Sequence, residues 1–120
     1  VSDPGNARVA RLDINSGTEG ATRSGFETPI KVMDGALLED FLRDPDLLSA
    51  PSGLELHNDL LYVSDYNTGY ILAFDLDGEL ANYLDTGLPG GALGGMSFGP
   101  DGKLYFVDTV GDQVLRIDPL

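Results

Sequence analysis

Cysteine and tryptophan are absent from this chain of 120 residues, and positive charges are few. Without cysteine there is no disulfide, no thiolate nucleophile and no cysteine-ligated zinc. Seven Lys and Arg against 20 Asp and Glu give a formal charge of −13 at pH 7, which leaves no basic patch for a nucleic-acid backbone. No apolar run is long enough to cross a membrane. We therefore expect neither nucleic-acid binding nor membrane insertion.

Glycine, short apolar runs and aspartate are what the chain has in quantity. Its 16 glycines and seven prolines suit many tight turns between short strands. With 42% apolar residues, the chain has enough material to bury a core. An acidic surface of this strength favours solubility and attracts cations without specifying a site for them.

One sequence pattern occurs three times. In each copy an Asp closes an apolar run, a turn follows, and a second apolar run ends at another Asp ten residues on. The three Asp pairs are Asp3 and Asp13, Asp65 and Asp75, and Asp108 and Asp118. The first two copies lie 62 residues apart and the last two 43. A period of about 40 to 45 residues with several short strands is typical of a β-propeller blade.

The pattern predicts an all-β fold, a partial β-propeller of about two and a half four-stranded blades. The blade pieces are 1–33, 51–86 and 87–120, with three, four and three strands. Strands such as 60–64 and 70–74 are apolar at consecutive positions, which predicts sheets packed on both faces. Residues 34–50 break the period, and their apolar spacing predicts a short helical insertion that acts as a lid or as a plug. The apolar positions of that insertion are Leu37, Leu38, Phe41 and Leu42.

Two and a half blades cannot close a ring, because propellers have about four to eight. We interpret the chain as the C-terminal part of a larger propeller, with the remaining blades or a partner chain as its partner. Open blade faces are expected to expose large apolar side chains to water. The expected examples are Ile71, Phe74, Leu104 and Val114. The location is not fixed by the sequence, and a secreted or periplasmic one is favoured.

The candidate ligand-binding residues lie at the strand ends that should surround one mouth of the propeller. They are Ser52, Asp65, Tyr66, Asn67, Asp108 and Thr109. Each repeated Asp could ligate a cation or act in acid–base chemistry. Alternatively, each accepts backbone N–H bonds in the turn that follows it. Three copies at one repeat position favour the structural role. Asp65 and Asp108 are weak metal candidates, calcium is the possible cofactor, and no catalytic residue is assigned.

Two further features have structural explanations. His57 is the only histidine, and its place before the turn at Asn58 predicts an exposed turn residue on the face away from the candidate site. The glycine-rich segment 87–95 lacks the Gly-Lys-Ser/Thr ending of a phosphate loop and precedes a strand. Its glycines are expected to let the backbone pass close to the propeller axis.

The first repeat copy resembles a known group of propellers. The segment Val1-Ser-Asp3-Pro-Gly-Asn6-Ala-Arg8-Val9 is similar to the signature of NHL repeats, in which Asp, Asn and Arg recur before Val or Ile. The later copies keep part of it, with Tyr70 and Gln113 in place of the Arg. The resemblance implies a six-bladed ring that serves mostly as a platform for binding a small molecule or a protein.

A second resemblance is to the SMP-30/gluconolactonase family of six-bladed, metal-dependent lactone hydrolases. It rests on Pro51-Ser52-Gly53-Leu54 and Leu93-Gly94-Gly95-Met96, which are similar to that family's first-strand segments. The family places an Asn and an Asp metal ligand where this chain has Ser52 and Gly94, and losing those donors argues against a hard-cation site. We therefore expect a ligand- or protein-binding platform. The alternative is a propeller enzyme of the lactonase or sugar dehydrogenase type, with catalytic residues in other blades.

Overall fold

A computed structural model describes residues 1–21 and 30–118. Within these ranges the chain forms twelve strands and one short 3-10 turn at Pro4–Asn6, and none of these residues forms a helix able to span a membrane. The strands are β1 (Ser2–Asp3), β2 (Arg8–Leu12), β3 (Thr18–Glu19), β4 (Met33–Asp34), β5 (Leu38–Leu42), β6 (Pro51–His57), β7 (Leu60–Asp65), β8 (Tyr70–Phe74), β9 (Leu80–Asp85), β10 (Leu93–Phe98), β11 (Leu104–Asp108) and β12 (Gln113–Arg116).

The strands form three successive antiparallel sheets and a small hairpin. The first sheet has the order β1-β2-β5, the second β6-β7-β8-β9 and the third β10-β11-β12, while β3 pairs with β4. Apart from β2 and β5, neighbouring strands within the three sheets are joined by short turns. One example is the two-residue turn at Asn58 and Asp59, with φ of 50° and 60°, the left-handed geometry that matches the twist of a hairpin. The second and third sheets have the predicted four and three strands; the first sheet also has three, although its third strand, β5, lies outside the predicted piece 1–33.

The three sheets pack face to face. The core between the first and second sheets consists of Val9, Leu42, Leu48, Val63, Leu72 and Phe74. The core between the second and third sheets is built on Ile71, Leu93, Leu104 and Phe106. Strand β8 contributes to both cores because successive side chains of a strand point to opposite faces. Consecutive meander sheets stacked in this way are the blades of a propeller-like fold, which confirms the predicted all-β class.

The predicted helical insertion at 34–50 is wrong. Residues 38–42 form β5, which pairs with β2 through Leu12↔Leu38 and Val9↔Leu42. The leucines have the spacing of a helix face, but they are not buried together, because Leu37 and Leu38 are about half exposed and only Leu42 is buried. Pairing with β2 therefore outweighs the helical pattern. The first blade piece therefore extends beyond residue 33, to residue 42.

The segment that lengthens the first repeat lies elsewhere. Residues 13–37 separate β2 from β5, whereas only 75–79 separate the equivalent β8 and β9. This longer segment contains the hairpin of β3 and β4, and its size accounts for the 62-residue offset. The third strand of the 1–33 piece is expected at residues 28–33. Residues 28 and 29 lie outside the described ranges, residues 30–32 belong to none of the twelve strands, and Met33 begins β4.

The expected exposure of four apolar side chains holds for one of them. Ile71, Phe74 and Leu104 are no more than 5% exposed because they face neighbouring sheets, whereas Val114, on the free face of the third sheet, is 66% exposed. The chain of three stacked sheets is nevertheless less compact than a closed domain of the same size. Its accessible surface is 7697 Å² against about 6,300 Å² for a compact monomer of this mass. Its radius of gyration is 16.5 Å against about 14 Å for a compact domain of this length.

Candidate functional site

The carboxylate of Asp65 ends β7 and is fully buried. Its Oδ2 accepts the backbone N–H groups of Ser49 and Ala50, both at 2.7 Å. Its Oδ1 accepts the N–H groups of Asn67 and Thr68 and the hydroxyl of Thr68, at 3.0 to 3.1 Å. One carboxylate therefore fixes both the turn that follows it and the link that enters β6. This geometry matches the structural role expected for the repeated Asp.

Asp108 occupies the same position at the end of β11 and is 4% exposed. Its Oδ1 accepts the N–H groups of Val110 and Gly111 at 3.1 and 2.9 Å, and its Oδ2 accepts the side-chain amide of Gln113 at 2.9 Å. The amide of Gln113, followed by the N–H of Gly111, holds the pKa of Asp108 below its usual range. The negative charge is thus stabilised by neutral donors.

Asp3 is the first copy, and its partners are different. The side-chain amide of Asn6 donates to both carboxylate oxygens, and Arg8 Nε donates to Oδ2 at 2.8 Å. Arg8 also bonds to Asp40 on the adjacent β5 at 2.5 Å. Arg8, followed by Asn6, lowers the pKa of Asp3, whose side chain is 27% exposed. The Asp, Asn and Arg of the repeat signature are therefore one hydrogen-bonded group that closes a turn.

Ser52 lies between sheets and not on an open surface. Its hydroxyl bonds to the carbonyl of Ser64 at 3.2 Å and to the Ser64 hydroxyl at 3.0 Å. Ser64 is fully buried, accepts the N–H of Gly53 at 2.8 Å and bonds to the carbonyl of Gly94 on β10 at 3.0 Å. These hydroxyls join the second sheet to the third near their first strands.

The role of Ser64 was missed in the sequence, although a signal was present. Ser2 precedes Asp3 as Ser64 precedes Asp65, and Ser2 donates to the carbonyl of Ser52 on the following sheet at 3.0 Å. In the third sheet the same position holds Val107, which has no hydroxyl. A serine that recurs immediately before the repeated Asp therefore marks a contact between successive sheets.

The first strands of the second and third sheets, β6 and β10, approach each other closely at Gly53. A Cβ on Gly53 would lie 2.7 Å from the Ser64 hydroxyl and 3.2 Å from the Cα of Gly95. No side chain fits there unless the neighbouring strand moves. The absence of a side chain at Gly53 lets β6 and β10 pass close together.

The other three candidate residues gather at one exposed rim. Tyr66 is 43% exposed, Asn67 and Thr109 are exposed, and we call these three residues the rim patch. The link between β9 and β10 connects them, because the N–H of Gly91 donates to the Tyr66 carbonyl at 2.7 Å and the Thr109 hydroxyl bonds to the Gly91 carbonyl at 3.1 Å. Asn67 donates to the hydroxyl of Ser49 at 3.1 Å. The patch is therefore a defined surface held by backbone contacts.

His57 lies at the opposite end of β6 from the rim patch. Its ring stacks on Phe98 of the third sheet, with centroids 3.8 Å apart and an interplanar angle of 11°. His57 is thus placed away from the candidate residues, and it packs between two sheets.

Acidic groups do not converge into a cation cage in the described part of the chain, where no cluster of three or more His, Cys, Asp or Glu residues could hold a metal ion. One open cavity of about 460 Å³ touches the candidate set. It lies on the free face of the third sheet and includes Asp108, Thr109 and Val114 in its wall. The aspartates, the rim patch and Ser52 therefore do not form a single concave site.

Comparison with known proteins gives limited information. No family model matches the chain, and no curated protein matches it. A crystal structure of catalytically inactive virginiamycin B lyase from Staphylococcus aureus with quinupristin is similar, at a TM-score of 0.49 and 19% sequence identity. The match covers 74% of this chain and 33% of that chain. The present chain thus spans about a third of that protein, and its assignment as propeller-like rests on its own sheet order and packing.

Proposed function

We propose that this chain forms part of a β-propeller of the NHL and SMP-30/gluconolactonase-like type and binds a protein or peptide at the rim patch. One observation carries the proposal. Asp65 and Asp108 hold their own turns, and the groups left exposed beside them are an aromatic ring, an amide and a hydroxyl. Tyrosine offers a large contact area with a polar end, which is why it is frequent at protein interfaces.

A protein or peptide suits this surface better than a small molecule. Small ligands bind in concave pockets that enclose most of their surface. Of the rim patch, only Thr109 borders any of the five best-formed cavities in the described part of the chain, and Tyr66 and Asn67 lie outside their walls. The net charge of −13 favours a basic partner, because complementary charge raises the rate of encounter.

The test is selection of binders from a phage-displayed peptide library, with the protein and its Tyr66→Ala variant as targets. Enriched peptides should bind the variant at least about tenfold more weakly, as expected when a central aromatic contact is removed. Tyr83→Ala is the matched control, because Tyr83 is 62% exposed on β9. Peptides that bind Tyr66→Ala as tightly as the parent protein would refute the assignment.

The same proposal includes recognition without a bound cation. The two oxygens of Asp65 already accept five hydrogen bonds, which a calcium ion would have to displace. Calorimetric titration with calcium at 0.15 M salt should show no micromolar site, and Ser52→Asn with Gly94→Asp restores the donors of the lactonase family for comparison. A micromolar site in the unmodified protein, or hydrolysis of a lactone probe, would favour the enzyme alternative instead.

A further inference from the structure

The dipeptide Asp-Gly occurs three times in the chain, at Asp34-Gly35, Asp77-Gly78 and Asp101-Gly102. The three aspartates are exposed, and the glycines have positive φ, of 69°, 90° and 74°. In such a pair the backbone nitrogen of the glycine can attack the side-chain carboxyl of the aspartate, because glycine has no side chain to hinder the approach. The three pairs have the same local chemistry, so any difference in their reactivity comes from the fold.

The reaction at such a pair needs no reactant other than water. The glycine nitrogen forms a bond to Cγ of the aspartate, and the hydroxyl of the protonated carboxyl leaves with the N–H proton as water, which gives a cyclic succinimide. Water then adds to one of the two ring carbonyls, and the C–N bond at that carbonyl breaks. Opening at the Cγ carbonyl restores aspartate. Opening at the main-chain carbonyl gives isoaspartate, in which the main chain runs through the side-chain carbon.

In two of the pairs a turn holds the attacking nitrogen. The N–H of Gly78 donates to the Asp75 carbonyl at 3.1 Å, and the N–H of Gly102 donates to the Gly99 carbonyl at 2.9 Å. A bonded N–H must leave its acceptor before the nitrogen can turn toward the carboxyl carbon. These two pairs therefore react only from the fraction of molecules in which the turn has opened.

The carboxylate of Asp101 is also held. Its Oδ2 accepts the Tyr105 hydroxyl at 2.8 Å, and its Oδ1 accepts the Lys103 N–H at 3.2 Å. The Tyr105 hydroxyl, followed by the Lys103 N–H, lowers the pKa of Asp101. The protonated carboxyl, which is the form that can lose water, is thereby made scarcer. Asp101 should be the least reactive of the three.

Gly35 has a different environment. It directly follows β4, where Thr18 pairs with Asp34 and the N–H of Gly20 donates to the Val32 carbonyl at 2.8 Å. Bonded and non-bonded pairs alternate along an antiparallel ladder, so the N–H of Gly35 points away from β3. It has no hydrogen-bond partner among residues 1–21 and 30–118. A Cβ on Gly35 would meet no atom within 4 Å, so the space around it is open.

We propose that Asp34 is a site of isoaspartate formation, and that the folded protein isomerises there ahead of Asp77 and Asp101. Three observations carry the proposal. The Gly35 N–H is not held by a turn, the space around Gly35 is open, and the Asp34 side chain is exposed to water.

Isomerisation at Asp34 opens the hairpin of β3 and β4. The main-chain carbonyl of Asp34 becomes a free carboxylate, and the main chain gains one carbon after it. A Cβ on Gly17 would lie only 2.7 Å from that carbonyl oxygen, so this close contact cannot take a larger, charged group without movement. The pairing with Thr18 is then lost, and the neighbouring bond of the Gly20 N–H weakens with it.

The test is ageing of the 120-residue chain in mildly acidic buffer at physiological temperature, followed by peptide mapping with electron-transfer dissociation, which distinguishes isoaspartate from aspartate. Isoaspartate should accumulate at residue 34 at least about tenfold faster than at residues 77 and 101, because the amides of Gly78 and Gly102 must first leave their acceptors. In urea the three rates should converge, since the turns are lost. Amide hydrogen exchange of Gly20 should become faster in the aged protein.

Asp34→Glu is the matched control. It keeps the negative charge, but the equivalent ring would have six members and forms much more slowly, so exchange at Gly20 should not change with ageing. Similar rates at the three pairs in the folded protein, or a faster rate at residue 77 or 101, would overturn the proposal. So would the same ranking in urea, since local sequence would then explain it. The hairpin belongs to the first sheet and the rim patch to the second and third, so neither result bears on the proposed binding function.

Discussion

The turns after Asp3 and Asp65 have the same place in the repeat and are held together differently. Asp65 is fully buried and is bound by four backbone N–H groups and one hydroxyl. Asp3 is partly exposed and is bound by the side chains of Asn6 and Arg8. In the turn after Asp65, Thr68 and Tyr70 stand where the first copy has Asn6 and Arg8, and backbone N–H groups with the Thr68 hydroxyl supply the donors. A degenerate repeat signature can thus keep its structural function.

The two turns also differ in the segments that they connect. Asp65 reaches Ser49 and Ala50 and so fixes the link into its own sheet's first strand. The Asp3 turn is connected through Arg8 to Asp40 on the last strand of its sheet. Loss of the Asp65 carboxylate should therefore destabilise the second, central sheet, and loss of the Asp3 carboxylate should destabilise the first sheet, at the edge of the molecule.

Asp65→Ala should have the largest effect. It leaves several buried N–H groups without an acceptor, and the free energy of unfolding should fall by about 3 to 5 kcal/mol. Urea denaturation measures the loss. Asp75→Ala, which removes an acceptor for two N–H groups in the next turn of the same sheet, is the control and should cost about 1 kcal/mol. Equal losses in the two variants would contradict the central role of Asp65.

Ser64→Ala should have an intermediate effect. It removes the acceptor of the Gly53 N–H and a bond to the third sheet in a fully buried place, so about 1 to 3 kcal/mol of unfolding free energy should be lost. Ser2→Ala is the matched change in the first sheet, where the hydroxyl has one bond, and should cost about half as much or less. A larger loss for Ser2→Ala would reverse the ranking of the two interfaces.

The smallest expected effect is electrostatic and concerns the carboxylates of Asp3 and Asp108. Both have a pKa lowered in the folded state, Asp3 chiefly by Arg8 and Asp108 chiefly by Gln113. A depressed pKa stabilises the fold above the unfolded-state pKa of about 4, and the contribution is lost as pH falls through the folded-state value. Asp3→Asn and Asp108→Asn should each make the melting midpoint fall less steeply below pH 4.

Salt should separate these two variants. Screening weakens the Asp3 pair with Arg8, so the gap in melting midpoint between Asp3→Asn and the parent protein at pH 7 should narrow between 0.05 and 1 M salt, roughly as the Debye length shortens to about 3 Å. The gap for Asp108→Asn should change little, because its partners are neutral. An equal narrowing for both would show that the Arg8 contact adds nothing specific.

Much of the fold could be predicted from residues alone. The Asp pairs ten residues apart marked the ends of β7 and β8 and of β11 and β12, because a turn carboxylate and the apolar run beside it are local features. The helix predicted at 34–50 was wrong because the structure of that segment depends on a contact with a distant strand. Leu38 and Leu42 have the spacing of a helix face, and only the presence of β2 beside them makes a strand more favourable.

The candidate site was predicted less well. Tyr66, Asn67 and Thr109 do come together, but only because the link through Gly91 runs between two turns that are 43 residues apart in sequence. Ser52 was placed with them, and its hydroxyl lies between sheets instead. Which side chains remain free to meet a ligand depends on hydrogen bonds made by distant backbone groups, and no local pattern records those.

The sequence by itself determined the repeat, the all-β class, the strands of the second and third sheets and the turn role of the aspartates, since each follows from periodicity and from interactions within a few residues. Tertiary structure decided that 38–42 is a strand, that Ser64 joins two sheets, and that the turns after Asp65 and Asp108 meet through Gly91. Those outcomes depend on which surfaces meet when successive sheets stack, and the free energy of that packing belongs to pairs of segments far apart in the chain.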